Sequence, residues 1–277
     1  MNRRKFLVSA TAFGLIGSVP TFRAGAARFE PARFSVQVRG SGADLILIPG
    51  LTAGREVWAA TVNALPGYRC HLIQISGFAG EPARGNRAGA ILAPLAAELA
   101  RYIAENRLAR PAIVGHSMGG TLAMMVAARH PGLVGRIMVV DMLPQPASLF
   151  GGSASGWAPL ADLLGSPGGR RLFGSFMGAF SPPGSANGRS DPDVVARATR
   201  EMMRTDLTPE LPRIRAPMTV VYASPDPRAR TAIDRQFARA YAPVRGARLV
   251  RIDGSGHMVM LDQPARFRAA LADFLRR

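Results

Sequence analysis

The chain holds a single cysteine, Cys70, so no internal disulfide can form and the fold must stand on burial alone. Cys70 sits between Tyr68 and the apolar Leu72-Ile73, the setting of a buried small hydrophobe rather than a catalytic thiol. Lysine is nearly absent too: Lys5 is the only one, and the formal charge of +17 is carried by arginine. The arginines are scattered, with pairs such as Arg170-Arg171 and Arg276-Arg277 and no dense run, which argues against a nucleic-acid footprint. No apolar run reaches the roughly 20 residues that a membrane helix needs. Glycine-rich segments lack a dinucleotide fingerprint, and the four histidines have no ligand spacing with cysteines or acids. Neither a cofactor nor a metal is therefore expected.

What is present begins with Arg3-Arg4-Lys5 ahead of an apolar stretch from Phe6 to Val19, then Pro20 and the small residues Ala24-Gly25-Ala26. This is the pattern of a targeting segment cleaved near Ala26. Adjacent arginines followed by Phe6-Leu7 resemble the twin-arginine export signal, whose translocation machinery carries folded proteins; a periplasmic or secreted location is the expectation. Loss of Arg3, Arg4, Lys5 and Arg23 with that segment lowers the formal charge to +13.

From about residue 33 short β-type runs alternate with helical stretches, as in a mostly parallel, doubly wound sheet covered on both faces. Strands are expected at Arg33–Val38, Asp44–Ile48, Arg69–Ile75, Ala112–Val114, Arg136–Val140, Met218–Ala223 and Arg248–Ile252. Helices are expected at Arg55–Leu65, Ala88–Arg107, Ser117–Arg129, Ala229–Tyr241 and Pro264–Arg276. Alternation breaks between about residues 142 and 211, where glycine and proline cluster with Phe150, Trp157, Phe173, Phe176 and Phe180; this reads as an inserted helical cap. A single catalytic domain, 27–277, would carry it.

The segment Gly115-His116-Ser117-Met118-Gly119-Gly120 follows the apolar Pro111-Ala112-Ile113-Val114 and precedes an alanine- and methionine-rich helical run. Gly115 and Gly119 flank Ser117 at the G-x-S-x-G spacing of a nucleophile elbow, where larger side chains would collide as the backbone reverses. Serine at its ordinary pKa is a poor nucleophile and needs a base within hydrogen-bond reach. His116 should point away from Ser117, His71 lies inside a strand and His130 ends a helix. His257, in the glycine-rich loop Asp253-Gly254-Ser255-Gly256-His257 after a strand, is the candidate base.

A carboxylate at another strand end must hold the imidazole tautomer. Asp226, in Ser224-Pro225-Asp226-Pro227, is preferred on the chain order serine, aspartate, histidine, with Asp141 after Val139-Val140 as the alternative. Asp253 and Asp262 look like loop or helix-start residues. Oxyanion donors are expected at the Met118 N–H, at the start of the helix behind the elbow, and at the Leu51 N–H in the turn Pro49-Gly50-Leu51.

These residues resemble the α/β-hydrolase family: Gly50 and Trp58, Ser76-Gly77-Phe78, the elbow, Asp226, and Gly256-His257 before Gln263-Pro264. Members usually carry His-Gly where Pro49-Gly50 stands here. The resemblance implies a serine hydrolase with a helical cap and does not name the substrate. With the elbow and its base, the expectation is a metal-independent enzyme cleaving small-molecule carboxylic esters or a similar acyl bond, with an apolar acyl or aromatic portion, through an acyl-enzyme on Ser117. A lyase or a cofactor-free perhydrolase would use the same three residues, and a non-catalytic binding protein would keep only the scaffold. A haloalkane dehalogenase is disfavoured, because it would need a carboxylate at position 117.

Overall fold

A computed structural model describes residues 29–149 and 186–277. The segment 1–26, expected to be a targeting signal, and the middle of the expected cap, including its aromatic residues from Phe150 to Phe180, lie outside the described residues.

Seven strands form one sheet: β1 (Phe34–Arg39), β2 (Ala43–Ile48), β3 (Tyr68–Ile75), β4 (Ala112–His116), β5 (Arg136–Val140), β6 (Met218–Ser224) and β7 (Arg248–Asp253). Their spatial order is β1-β3-β2-β4-β5-β6-β7. Only β1 runs antiparallel, against β3; every other pairing is parallel. Parallel strands covered on both faces read as continuous apolar runs, and β4 (Ala112-Ile113-Val114-Gly115-His116) is buried throughout.

Alternating side chains feed two cores. Ile46, Ile48, Ile113, Ile137, Val139 and Val220 enter one, packed by α2 (Leu92–Glu105), α3 (Met118–Arg129), α5 (Pro192–Arg204) and α6 (Arg230–Tyr241). Leu45, Leu47, Val114, Met138, Val140 and Val221 enter the other, packed by Val57, Trp58 and α8 (Pro264–Arg276). The period-two split is what a doubly wound sheet demands, and it matches the expected fold class. Cys70 is buried in the second core, where desolvation raises the pKa of its thiol, as befits a buried small hydrophobe.

Two helices depart from expectation by more than two residues. The stretch expected as Arg55–Leu65 divides into a 3-10 turn, Arg55–Trp58, and the short α1, Ala59–Asn63. Buried Trp58, packed against Phe267 with ring centroids 6.2 Å apart, interrupts the regular face. The helix expected from Ala88 begins only at Leu92, because the Glu201 carboxylate of α5 accepts the N–H groups of Ile91 and Leu92 at 2.8–3.0 Å. An acid 109 residues away along the chain caps this helix, and no local pattern signals it.

Described parts of the inserted segment include α4 (Pro146–Leu149) and α5, whose Asp191 caps its own first turn by accepting from Asp193 and Val194 N–H. Val194, Val195, Ala198, Met202 and Met203 of α5 enter the first core. Two further short segments are α7 (Val259–Asp262) and the 3-10 turn Pro227–Ala229.

Candidate active site

β4 ends at His116 and α3 begins at Met118, so Ser117 alone makes the reversal. Its backbone sits at φ 52° and ψ −122°, a strained conformation for a residue with a side chain. Neighbouring chain leaves no room for anything but glycine on either side. A Cβ on Gly115 would lie 2.1 Å from the Gly119 carbonyl oxygen, and one on Gly119 would lie 2.3 Å from that of Ile48. The spacing therefore reports a contact between α3 and the end of β2. Around the turn, the Ser117 N–H donates to Val140 O at 2.9 Å and the Ser117 carbonyl accepts from Gly120 and Thr121 N–H.

His257 follows β7, and its Nδ1 lies 2.7 Å from Asp141 Oδ2. A carboxylate accepts, so Nδ1 carries the proton and Nε2 keeps a free lone pair, the tautomer a general base requires. Asp141 follows β5 directly, at φ 50°, and is 5% exposed. Its N–H donates to Val221 O at 2.7 Å and its Oδ1 accepts from Ala223 N–H at 2.9 Å. The next residue is tied as well: the buried Tyr241 hydroxyl donates to Met142 O at 2.6 Å. The carboxylate is thus aimed by its own strand end, by β6 and by α6.

Asp226, preferred from sequence as the partner of His257, is placed elsewhere. Its carboxylate accepts from the Arg228 N–H at 2.8 Å and from Arg228 Nε at 3.2 Å, capping the turn Pro227–Ala229. Its side chain is 43% exposed, and the bonds from the Arg228 N–H and guanidinium hold its pKa below the ordinary carboxylate value. The correction is that Asp141 is the carboxylate hydrogen-bonded to His257. Pro227 opens that turn, and Asp226 is its N-terminal cap. Asp253, expected in a loop or at a helix start, is the last residue of β7 and bonds Arg251 and Arg230, and Asp262 is the last residue of α7.

The remaining histidines are engaged away from the serine hydroxyl. His116 points into the protein, where its Nε2–H donates to the carbonyl of His257 at 2.9 Å; the two rings lie 4.7 Å apart. Burial, and then the nearby charge of His257, push the His116 imidazole down to about 3. His71 in β3 contacts Asp44 Oδ1 through Nε2 at 2.9 Å and the Tyr102 hydroxyl through Nδ1 at 2.7 Å. That pair sits near the start of β2, at the sheet edge opposite Ser117. His130 ends α3, as expected.

Pro49-Gly50-Leu51 lies against the elbow: a Cβ on Gly50 would come 3.1 Å from that of Ser117. The turn closes through Ala53 N–H to Gly50 O at 3.2 Å, with Thr52 at φ 63°. Leu51 is half-buried and Met118 fully buried. Neither N–H meets a backbone acceptor among the described residues. Met118 N–H also opens α3, where the helix dipole favours negative charge. Among the described residues no group of histidine, cysteine, aspartate and glutamate could hold a metal ion, and no helix is long and apolar enough to cross a membrane.

This arrangement can be set beside known proteins. The profile described as the alpha/beta hydrolase family matches residues 45–270. The chain belongs to that family. The hydrolase is 27% identical over 267 residues to a pimeloyl-[acyl-carrier protein] methyl ester esterase of Vibrio cholerae, with 87% of this chain and 97% of that protein covered. Solved structures with similar folds include the enol-lactonase from Burkholderia xenovorans LB400, at TM-score 0.69 and 22% identity, covering 88% of this chain and 96% of that one. An esterase from Exiguobacterium antarcticum superposes at TM-score 0.68 and 20% identity, with 88% and 96% covered.

Proposed function

We propose that this alpha/beta hydrolase is a serine carboxylic ester hydrolase that works through an acyl-enzyme on Ser117. The carrying observation is the 2.7 Å bond from His257 Nδ1–H to Asp141, made by a loop that His116 ties to the elbow itself. His257 Nε2 takes the proton of Ser117 as Oγ attacks the ester carbonyl carbon. Negative charge developing on the carbonyl oxygen is met by the N–H groups of Met118 and Leu51. The imidazolium, stabilised by Asp141, gives its proton to the departing alkoxide as the C–O bond breaks. A water then loses a proton to Nε2 and attacks the acyl carbon, and Ser117 Oγ recovers that proton as it leaves.

The Vibrio cholerae relative is named for a methyl ester of a carrier-bound acyl chain, and the shared chemistry is the ester bond. This reading therefore stands at the level of a carboxylic ester with an apolar acyl or aromatic part. The inserted segment, about 142–211, would cover the site. Ser190 supports this, since its hydroxyl accepts from Ala79 N–H at 2.9 Å and donates to Thr52 O at 3.3 Å, beside the Leu51 turn.

Treatment with a fluorophosphonate probe should label Ser117, and a panel of p-nitrophenyl esters of graded acyl length should be turned over. Ser117→Ala should keep the fold and lose both. Comparable ester turnover by that variant would refute the assignment. Arg3-Arg4 and the apolar stretch after them further support export by the twin-arginine machinery to the periplasm or beyond. Replacing both arginines by lysine should leave the protein in the cytoplasmic fraction; unchanged fractionation would end that part of the proposal.

A further inference from the structure

The residue before the nucleophile has a second task that its position in the motif does not announce. His116 is 2% exposed, and its ring lies between the two loops that flank Ser117. On one side its Nε2–H meets the carbonyl of His257. On the other, its Nδ1 faces the Pro49-Gly50-Leu51 turn so closely that a Cβ on Gly50 would come within 2.9 Å of it.

We infer that His116 is a positioning residue: by donating its Nε2–H to the His257 carbonyl it fixes the backbone of the base against the elbow, so that Asp141 has only the ring to orient. This rests on the acyl-enzyme reading of Ser117 and His257. Two observations make the backbone tie necessary. The base stands in a loop rich in glycine, with Gly254 at φ 71° and Gly256 directly before it. Its other local bonds fall on either side of the base, from Gly254 N–H to Ser224 O, from Ser255 Oγ to Gly256 O and from the N–H groups of Leu261 and Asp262 to Met258 O, whereas the bond to the carbonyl of His257 itself comes from His116. The Asp141 bond acts on the imidazole, which still swings with its own Cα if the main chain shifts. A donor rooted one residue from the nucleophile cancels that freedom, because His116 and Ser117 move as one turn.

A carbonyl can only accept, so the proton on His116 must sit on Nε2. Nδ1 is then a bare lone pair, buried and without a partner among the described residues. A second proton there would be an orphaned buried donor facing Gly50, so the ring stays neutral. Neutrality matters for its neighbour: His257 becomes an imidazolium in each half-reaction, with the two rings 4.7 Å apart, and a cation at His116 would oppose it.

The test separates donor from bulk. His116→Leu keeps similar volume without a donor, whereas the amide of His116→Gln can place an N–H near the Nε2 position. With a saturating p-nitrophenyl ester, His116→Leu should lower kcat about 10- to 100-fold with KM within about threefold, as expected for a misplaced base. His116→Gln should recover to within about fivefold of the parent, since the carbonyl bond is restored. Parent-like kcat in both variants would overturn the inference. So would an equal fall in both with matching losses of thermal stability, which would mean that the ring only fills space. Should the leucine variant fail to fold, a folded but inactive glutamine variant decides against the idea. Failure of the parent to hydrolyse esters or to take the fluorophosphonate would instead sink the acyl-enzyme reading, and is scored separately.

Discussion

Asp141→Asn is the sharpest probe of the site, because the structure dictates how the asparagine amide must sit. Asp141 Oδ1 accepts from the backbone N–H of Ala223 at 2.9 Å, inside the sheet and away from water. An asparagine there has one oxygen and one NH2. Turning the NH2 toward Ala223 would set two donors face to face, at a cost of the order of 1–3 kcal/mol for the unmet buried N–H. The oxygen therefore stays with Ala223, and the NH2 faces His257 Nδ1. A donor at that point selects the imidazole tautomer with its proton on Nε2, where it can no longer accept from Ser117. Such a forced wrong tautomer costs about 10⁴-fold in kcat in a comparable triad, or roughly 5 kcal/mol of barrier. KM should change little, since the amide never meets substrate. Asp226→Asn is the paired control: it weakens an exposed turn cap and should leave kcat within about twofold. Steady-state ester hydrolysis with thermal melts of both variants reads this directly. A folded Asp141→Asn variant within tenfold of the parent, or an Asp226→Asn variant carrying the large loss, would refute the reasoning.

Two further outcomes follow from the same geometry. Gly119→Ala puts a methyl 2.3 Å and 2.7 Å from the carbonyl oxygens of Ile48 and Pro49; these are backbone atoms of β2 and the adjoining turn and cannot swing aside. Stability should fall by about 1–3 kcal/mol or more, and an unchanged thermal midpoint would contradict the packing account. His116 makes stability pH-dependent. Its imidazole is pushed from 6.5 down to about 3 in the folded protein, so below about pH 6.5 the unfolded chain takes up a proton that the folded chain refuses. Stability should fall as pH drops from about 6.5 toward 3, by up to about 1.4 kcal/mol per pH unit from this group. Denaturant midpoints measured across that window should slope less in His116→Gln; parallel slopes would show that His116 is not the source.

The places where sequence reading succeeded and failed divide along a physical line. Ser117 was legible because an elbow is made from six consecutive residues, and a strand, a glycine spacing and a helix are all short-range constraints. His257 was singled out by elimination among four histidines and by its loop after a strand, and the structure brings it to Asp141. The choice between Asp226 and Asp141 went the wrong way because chain order is the same for both. The deciding facts are that Val140 pairs with Val221, which brings Asp141 to the Ala223 N–H, and that Arg228 claims Asp226. The late start of α2 is of the same kind, since its cap is Glu201 from the inserted segment.

Alternating apolar runs and turn chemistry were enough to specify a doubly wound sheet with a serine at the crest of one turn, because burial periodicity and steric exclusion act over a few residues. Which carboxylate meets the imidazole, and that His116 braces the loop of the base, depend on strands and loops brought together from distant parts of the chain. Those partners are selected by strand order, register and the closing of two glycine-bounded loops on one elbow. Such contacts exist only once the sheet is assembled, so no window along the chain could have displayed them.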